Sequence, residues 1–403
     1  MTTATGDLHA LIESSAQASV SIRHALHRHP ELSFQEHETS ALIRDELDRL
    51  GIPSVTGYAR GTGVVGYLPA TEPAGERGGS VALRADIDAL PIQERSGVPH
   101  ASRVPGVMHA CGHDGHTAVV LGAARVLAAL EHRPSPVTLI FQPAEECGGG
   151  GELMAREGAL AGEGGGGIGA PVRVIFGLHG WPEMDLGRVG TRPGPLLAST
   201  DDFEVVFRGV QGHAAWPHES RDPIVCAAQA VTALQTITSR SADPGDAVVC
   251  TVGAIHAGTA DNVIPETARM IGTLRALDDA NRAMLERRFH EIVEGTAHAM
   301  GCGAEIEFKP GYPVTANDED AASRFFRVAD AAFGAERVVR VPRAFMGGED
   351  FSYYGAHAPA CFFLLGLRRP GATAPGLHSP AFDFADDAMG VGIEALVRLA
   401  LEA

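Results

Sequence analysis

The chain has 403 residues, 45% of them hydrophobic, and a formal net charge of −18 with the histidines neutral. This length is too great for one ordinary core and predicts two domains. The acidity and the absence of a basic stripe argue against nucleic acid and against an anionic membrane surface as partners.

Cysteine usage and the N-terminal segment predict a reduced, cytoplasmic protein. The six cysteines are scattered without a CxxC pair, which in so long a chain is not a disulfide framework. Residues 1–7 lack the charged and apolar regions of a signal peptide, and no apolar run approaches the ~20 residues of a membrane span.

The first half of the chain alternates helical and strand patterns. The predicted helices cover residues 8–28, 38–50 and 117–130, and the predicted strands cover residues 63–68, 80–84, 136–141 and 172–178. Strands that alternate with helices predict a mixed, mostly parallel sheet with helices on both faces, which is an α/β fold.

The pattern changes near residues 191–195. The next block reads as strand 202–207, helix 223–239, strands 247–255 and 267–275, helix 279–299 and strand 304–308. This βαββαβ order is the ferredoxin-like pattern. The α/β alternation then resumes with a helix at 321–333, a turn at 347–350, a strand at 361–365 and a last helix from about residue 386. We therefore predict a catalytic domain from residues 1–191 and 310–403, interrupted by an inserted domain at residues 192–309.

The segment from Met108 to His116 is rich in metal-binding side chains. It holds one thiol, three imidazoles and a carboxylate among small residues, and thiolate and imidazole suit zinc and neighbouring divalent metals. Cys111 and His113 are the favoured pair because the small Gly112 lies between them. The alternative is an ordinary His-rich loop. The metal interpretation is favoured because further candidate ligands border apolar runs elsewhere: Asp86, Glu145, Glu146, His179 and His378.

Two pairs of carboxylates follow predicted strands. Asp86 and Asp88 are two residues apart, so their side chains point the same way and one of them could bind metal or orient a ligand imidazole. The alternative is a cap of the turn before Pro91. Glu145 and Glu146 are adjacent and would repel each other unless one holds metal while the other, with a raised pKa, moves protons. An acidic helix N-terminus is the alternative.

The inserted block offers three polar candidates. His213 could reach an oxyanion, or it is a polar residue of a glycine-flanked loop. Asn262 offers an amide for the oxyanion or for a substrate carboxylate. Arg275 is a cation for that carboxylate, with a structural ion pair as the alternative. The N-terminal histidines 24, 27 and 29 are interpreted as a packed or solvated helix face.

These residues, in this order, resemble the dimetal amidohydrolase group of aminoacylases, hippurate hydrolases and auxin-conjugate (IAA-amino acid) hydrolases, related to the co-catalytic zinc exopeptidases. The resemblance covers nearly the whole chain. Its motifs stand at residues 27–33, 84–91, 108–118, 141–146, 177–182, 212–217, 222–224, 262–265, 346–351 and 377–384. It implies a two-domain fold in which the βαββαβ part serves as a lid and often as a dimerisation surface.

The resemblance also implies residue roles. It implies that the metal ligands are Cys111, His113, Glu146, His179 and His378. It implies that Glu145 is the general base and acid, that His213 stabilises the tetrahedral intermediate, and that Asp88 orients metal-bound groups. Asp86 falls where the peptidase relatives have a histidine, so its role stays open. Two departures from the group are Cys147, where glycine is usual, and the glycine-rich segment 162–167.

The predicted function is metal-dependent hydrolysis of the amide bond of N-acyl amino acids, through a water that two divalent ions share. Zinc, manganese, cobalt and nickel all suit the ligand set. The predicted partners are a small-molecule substrate and a second copy of the chain. A dipeptidase or diaminopimelate-type deacylase of the same fold is the alternative enzyme. A catalytically silent metal-binding or small-molecule-binding protein is the alternative outside enzymes.

Overall fold

The computed structural model describes residues 3–71 and 78–402. Its helices are α1 (Thr3–Arg28), α2 (His37–Arg49), α3 (His113–Ala129), α4 (Gly150–Arg156), α5 (Pro223–Thr236), α6 (Asp279–Ala299), α7 (Glu319–Phe333) and α8 (Met389–Glu402). Its strands are β1 (Ser54–Tyr58), β2 (Gly63–Leu68), β3 (Ser80–Asp86), β4 (Val137–Gln142), β5 (Val172–Asp185), β6 (Val189–Thr191), β7 (Gly194–Leu197), β8 (Ser199–Arg208), β9 (Gly212–His213), β10 (Val248–Ala257), β11 (Val263–Ile264), β12 (Thr267–Ala276), β13 (Gly303–Pro310), β14 (Thr315–Asn317), β15 (Val338–Arg340) and β16 (Ala360–Arg368).

The chain divides into two compact units. Unit 1 comprises residues 1–196, 316–342 and 350–403, and unit 2 comprises residues 197–315 and 343–349. The sequence predicts domain boundaries between residues 191 and 192 and between residues 309 and 310. Unit 2 also takes in residues 343–349, which the sequence analysis assigned to the other domain.

Unit 1 is built on an eight-stranded sheet in the order β1-β2-β4-β3-β5-β16-β6-β15. Four of its seven strand pairs are parallel, and the α/β fold is confirmed. Strands β3 and β4 are buried along their whole length, which explains why they read as continuous apolar runs rather than as an alternating pattern.

Helix α3 begins earlier than the sequence predicted. It starts at His113, whereas the alanine- and leucine-rich pattern had indicated residue 117. Gly112 has φ 94°, a left-handed conformation that glycine adopts without strain, and this turn allows the helix to begin directly after it. The second half of the Met108–His116 segment therefore forms the N-terminus of a helix rather than a loop. Helix α3 packs against α1 and α8.

Several short elements were not predicted. They are α4 and the strands β1, β6, β7, β9, β11, β14 and β15. Most are too short for a hydrophobic period to show, and α4 opens with two glycines, which are poor helix formers.

Unit 2 contains a four-stranded sheet in the order β10-β12-β8-β13, antiparallel throughout. The chain order β8-α5-β10-β12-α6-β13 is the βαββαβ pattern that the sequence predicted. Asp222 and Asp278 cap α5 and α6 by accepting hydrogen bonds from backbone N–H groups of the first turn. The apolar core lies between these helices and the sheet.

Among residues 3–71 and 78–402, no helix combines the length and apolarity needed to cross a bilayer.

Candidate metal centre

The ends of three parallel strands bring the candidate residues to one edge of the unit 1 sheet. In the β3–β4 pair Asp86 lies opposite Gln142, and in the β3–β5 pair Arg84 lies opposite Gly177. This register places His179, two residues after Gly177, level with Asp86. The loop that follows β4 carries Glu145 and Glu146. Carboxyl ends of parallel strands are where α/β folds bind their ligands.

A thiol and two imidazoles form one group of potential ligands. Cys111, His113 and His179 are buried, and each presents a ligand atom within 4.8 Å of the others. The Sγ atom of Cys111 lies 3.4 Å from Nε2 of His179. Nδ1 of His179 lies 2.8 Å from the carbonyl oxygen of Gly180, which places the proton on Nδ1. The lone pair of Nε2 is therefore directed toward the thiol.

Glu146 and His378 complete the cluster. Nε2 of His378 lies 3.3 Å from Oε1 of Glu146, and Nε2 of His113 lies 3.9 Å from the same oxygen. Cys111, Glu146 and His378 form a further group of ligand atoms within 4.8 Å of one another. His378 has φ 61°, and its N–H donates to the carbonyl of Ala110 at 2.8 Å. Such a strained backbone persists where the surroundings fix it, as at functional sites.

Asp88 lies beside this cluster and holds His113 and Glu146 in position through hydrogen bonds. Its Oδ1 accepts a hydrogen bond from Nδ1 of His113 at 3.1 Å, which directs Nε2 of that ring toward Glu146. Its Oδ2 accepts hydrogen bonds from the Ser33 hydroxyl at 2.7 Å and from the N–H of Glu146 at 3.1 Å. One carboxylate thus fixes the orientation of two candidate ligands.

Glu145 projects from a strained and anchored turn. Ala144 before it has φ 54°, and its N–H donates to the Glu36 carboxylate at 3.0 Å. A Cβ atom on Gly150 would lie 1.7 Å from the carbonyl oxygen of Pro143, so only glycine fits behind this turn. Glu145 is 7% exposed, and its Oε2 lies 4.0 Å from Nε2 of His113.

The electrostatics of the cluster are those of a cation site. Burial and the carboxylates of Glu146, Glu145 and Asp86 hold the pKa of the Cys111 thiol well above its usual range. Burial holds the pKa of His179 well below its usual range, which keeps this imidazole neutral, as a metal ligand must be. Burial also lowers the pKa of His113, but the negative charge of Asp86 and Asp88 outweighs it and raises that pKa to about 10.

The donor set fits divalent metal ions. Among the described residues, Nε2 of His113 and Oε1 of Glu146 are buried polar atoms without a hydrogen bond, and they lie 3.9 Å apart. The contact of His378 with Oε1 at 3.3 Å is close enough for an ion pair but lacks hydrogen-bond geometry. Buried polar atoms normally have partners. Metal ions held by thiolate, imidazole and carboxylate would partner both atoms and would stabilise the thiolate form of Cys111.

A buried arginine beneath the cluster was not singled out from the sequence. Arg84 donates hydrogen bonds to Gln142 at 2.9 Å, to Asp86 at 2.8 Å and to Asp350 at 2.9 Å. Asp350 also accepts from Gln142 and from the N–H of Gly151. A buried arginine needs carboxylate partners, and the acidic residues near its strand were the available signal.

Asp86 belongs to this network. Its Oδ1 lies 2.6 Å from Nδ1 of His116, while Nε2 of His116 accepts the N–H of Gly180 at 2.8 Å. Both nitrogens of His116 and both oxygens of Asp86 are therefore engaged within the protein. This geometry favours a supporting role for Asp86 and His116 over metal binding.

Arg84→Met should destabilise unit 1 strongly, because it leaves Asp86 and Asp350 as buried carboxylates without their cation. We expect the free energy of unfolding to fall by about 3–5 kcal/mol, measured by urea denaturation. Arg368→Met is the matched control, because its ion pair with Asp185 is exposed, and it should change the free energy of unfolding little. Equal stability losses in the two variants would contradict the importance of the buried network.

Asp114 and the N-terminal histidines form a separate cluster. Asp114, the carboxylate of the segment from Met108 to His116, lies 2.9 Å from Nδ1 of His27 and 3.7 Å from Nε of Arg23. His27 is buried and also contacts Glu94 at 3.3 Å. The interpretation of this helix face as a packed face agrees with these contacts.

Glu36 joins three segments around the site. Its carboxylate accepts hydrogen bonds from the Thr62 hydroxyl at 2.8 Å and from the N–H of Ala144. Burial raises its pKa to about 7, although these hydrogen bonds oppose the shift. Ionisation of Glu36 therefore costs the folded state more than the unfolded chain.

This shift predicts a pH dependence of stability. The folded state binds the Glu36 proton more tightly, so its penalty is absent below about pH 4.5 and develops fully by about pH 7, reaching about 3 kcal/mol. We expect the unfolding free energy of metal-free protein to decline over this interval more steeply in the wild type than in Glu36→Gln. Parallel pH profiles of the two proteins would show that Glu36 is not the group responsible.

Unit 2 carries the three candidates of the inserted block. The short strands β9 and β11 pair His213 with Val263, and the N–H of Ala214 donates to the carbonyl of Asn262 at 3.1 Å. His213 and Asn262 are therefore neighbours, and both are exposed. Arg275 lies elsewhere, on β12, where it donates to the carbonyl of Leu274 at 2.9 Å and lies 3.9 Å from Asp202. Its surroundings favour the structural ion pair.

The two departures from the family pattern differ in setting. Cys147 is an exposed thiol directly after Glu146. The glycine-rich segment 162–167 packs closely on residues 157–158, since a Cβ atom on Gly158 would lie 2.0 Å from the carbonyl oxygen of Gly165. The Tyr58 hydroxyl donates to the carbonyl of Gly166 at 2.5 Å. The glycines therefore allow the backbone of residues 162–167 to pack directly against residues 157–158.

An α/β sheet that gathers thiol, imidazole and carboxylate groups around paired glutamates is typical of metal-dependent hydrolases. Residues 82–402 match the peptidase family M20/M25/M40. The chain belongs to this family, which confirms the resemblance found in its motifs, and it is a hydrolase of the amidohydrolase type.

Three relatives illustrate the range of the family. An N-acetyl-L-cysteine deacetylase of Bacillus subtilis is 40% identical over 92% of this chain and 84% of its own length. An IAA-amino acid hydrolase of Arabidopsis thaliana, ILR1-like 2, is 39% identical over 95% of this chain and 84% of its own length. A solved Bacillus subtilis structure, described as a dinuclear metal binding peptidase of the M20 family, has TM-score 0.80 and 33% identity, covering 97% of this chain and 98% of that chain.

Proposed function

We propose that the protein is a metal-dependent amidohydrolase that cleaves N-acyl amino acids into a carboxylic acid and a free amino acid. The observation that carries this proposal is the convergence of ligand groups beside Glu145, where His113 Nε2 and Glu146 Oε1 are buried without a hydrogen bond. The curated relatives named for deacetylation and for hydrolysis of IAA-amino acids support the acyl amino acid as substrate.

We propose the following residues as ligands of two divalent ions, with zinc, manganese, cobalt and nickel as suitable metals: Cys111, His113, Glu146, His179 and His378. Metal ions bound there would polarise the amide carbonyl and lower the pKa of water. Glu145 takes the proton of the attacking water on its carboxylate and passes it to the leaving nitrogen. Asp88 keeps the His113 ring oriented through Nδ1.

His213 is proposed to stabilise the oxyanion of the tetrahedral intermediate, with Asn262 beside it as an amide for the substrate. The supporting observations are the exposure of the His213 ring and its fixed position in the β9–β11 pair, where Nδ1 accepts the N–H of Ala215 at 3.1 Å. We do not assign Arg275 to the substrate carboxylate, because its contacts are internal.

His213→Ala should lower kcat by about 10²–10³-fold, the effect of removing one oxyanion donor, and should leave the metal content unchanged. Steady-state kinetics and elemental analysis of the same preparation measure both quantities. His218→Ala is a control on a nearby exposed histidine. Metal loss in His213→Ala would place this residue among the ligands instead.

A second copy of the chain is the proposed partner, bound through unit 2. Seven large hydrophobic residues are exposed in the part of the chain that the structure describes, and six of them lie in this unit: Val210, Trp216, Ile224, Val225, Ile255 and Val263. Light scattering of wild type and of Ile224→Glu/Val225→Glu tests this, with a dimer and a monomer as the respective expected results.

A panel of substrates tests the proposed activity. Protein from which a chelator has removed the metal should be inactive on N-benzoylglycine, N-acetylmethionine and N-acetylcysteine. Addition of a suitable divalent metal should restore turnover. The family also contains a protein described as a peptidase, so dipeptides are the second class to assay. Restored cleavage of dipeptides without cleavage of acyl amino acids would favour the peptidase alternative.

A further inference from the structure

Two cysteines of unit 2 meet at the first turn of α5. Cys226 lies in this helix, and Cys302 lies in the connection between α6 and β13. The carbonyl oxygen of Asp222 accepts the N–H of Cys226 at 3.2 Å and lies 3.9 Å from Sγ of Cys302. Sγ of Cys302 therefore lies beside the turn of α5 that carries Cys226. Both side chains also pack in the apolar core of this unit.

The two thiols differ in their access to solvent. Cys226 is fully buried, whereas Cys302 is only partly buried. Burial, followed by the neighbouring Cys302, raises the pKa of Cys226 to about 12. A reagent in solution therefore meets Cys302 first, and Cys226 is positioned to react second.

We propose that Cys226 and Cys302 form a reversible oxidation site, at which a small-molecule disulfide converts the two thiols into an intramolecular disulfide. The Cys302 thiolate attacks the reagent and displaces one of its thiols, which leaves a mixed disulfide on Cys302. The Cys226 thiolate then attacks Sγ of Cys302 and displaces the second thiol. Two protein thiols are oxidised, and one reagent disulfide is reduced to two thiols.

The bond would join two segments far apart in sequence. It closes a loop of about 75 residues, and long closed loops restrict the unfolded chain most. Arg221 and Val210 exchange backbone hydrogen bonds of 2.9 and 3.1 Å next to Asp222, and these bonds anchor the segment that leads to His213. Oxidation would thus stabilise the part of unit 2 that holds this segment.

Oxidised glutathione, applied to the full-length Cys147→Ser protein, tests the proposal. This background removes the exposed thiol that would otherwise pair between molecules. Peptide mapping without reductant should identify a cross-linked peptide that joins residues 226 and 302, with the loss of two hydrogens. Dithiothreitol should reverse it, and Tm of the oxidised protein should be higher. The second step should be faster at higher pH, because the Cys226 thiolate is the scarce species.

Two further variants separate the steps. Adding Cys226→Ser should stop the reaction at a glutathione adduct on Cys302. Adding Cys302→Ser should leave Cys226 unmodified, because it is buried. A stable glutathione adduct on Cys302 without the cross-link, in the folded Cys147→Ser protein, would overturn the proposal. So would a Cys302 that reacts with glutathione neither in Cys147→Ser nor in Cys147→Ser/Cys226→Ser.

Discussion

Glu145→Gln should reduce kcat by about 10²–10⁴-fold while the protein keeps its metal. The amide has nearly the same size and shape as the carboxylate but cannot accept and return a proton, and general acid–base catalysis contributes this much. The strained turn at Ala144 and its anchor on Glu36 do not depend on the charge of residue 145. Steady-state kinetics and elemental analysis of the metal-loaded variant give the two numbers.

Glu183→Gln is the matched control for this experiment. Glu183 lies on the same unit, near the end of β5, but its side chain is exposed. It should behave as wild type. A wild-type kcat in Glu145→Gln would show that Glu145 does not transfer the proton. Loss of metal from that variant would indicate that Glu145 is a metal ligand.

Cys111→Ser should lose bound metal and, with it, activity. A serine hydroxyl does not ionise under these conditions, so the site would lose the thiolate that lies beside His113 and His179, two other proposed ligands. Loss of a residue that only hydrogen-bonds to a metal ligand lowers metal affinity about 10–100-fold, and we expect a larger fall in Cys111→Ser. Competition with a chromogenic chelator measures this directly.

Cys147→Ser provides the contrast, since it makes the same substitution on an exposed thiol next to Glu146. Its metal affinity should match that of the wild type. Equal losses in the two variants would mean that the whole loop, and not the Cys111 thiolate, determines binding.

The sequence predicted the parts of this molecule that long patterns and local chemistry determine. Buried strands such as β3 and β4 read as apolar runs, and the polar residues after them mark the sheet edge where the cluster forms. The βαββαβ order of unit 2 was readable for the same reason.

What the sequence could not show depends on three-dimensional partners. The distinction between Asp86 and Asp88 is one example: alternation places both on one side, but only the fold brings His116 to Asp86 and His113 to Asp88. The early start of α3 depends on one left-handed glycine, and α4 is too short to leave a pattern. The partners of Asp114 come from α1, far away in sequence.

The position of β16 has a consequence for biosynthesis. This strand lies between β5 and β6, yet it leaves the ribosome after all the other strands that the structure describes. The core elements of unit 2 are complete by residue 310 and can fold while the rest is being synthesised, whereas the unit 1 sheet has a gap until residues 360–368 emerge. His378 follows later still. We therefore expect the proposed metal site of a nascent chain to become complete only after β16 has entered the sheet and His378 has emerged.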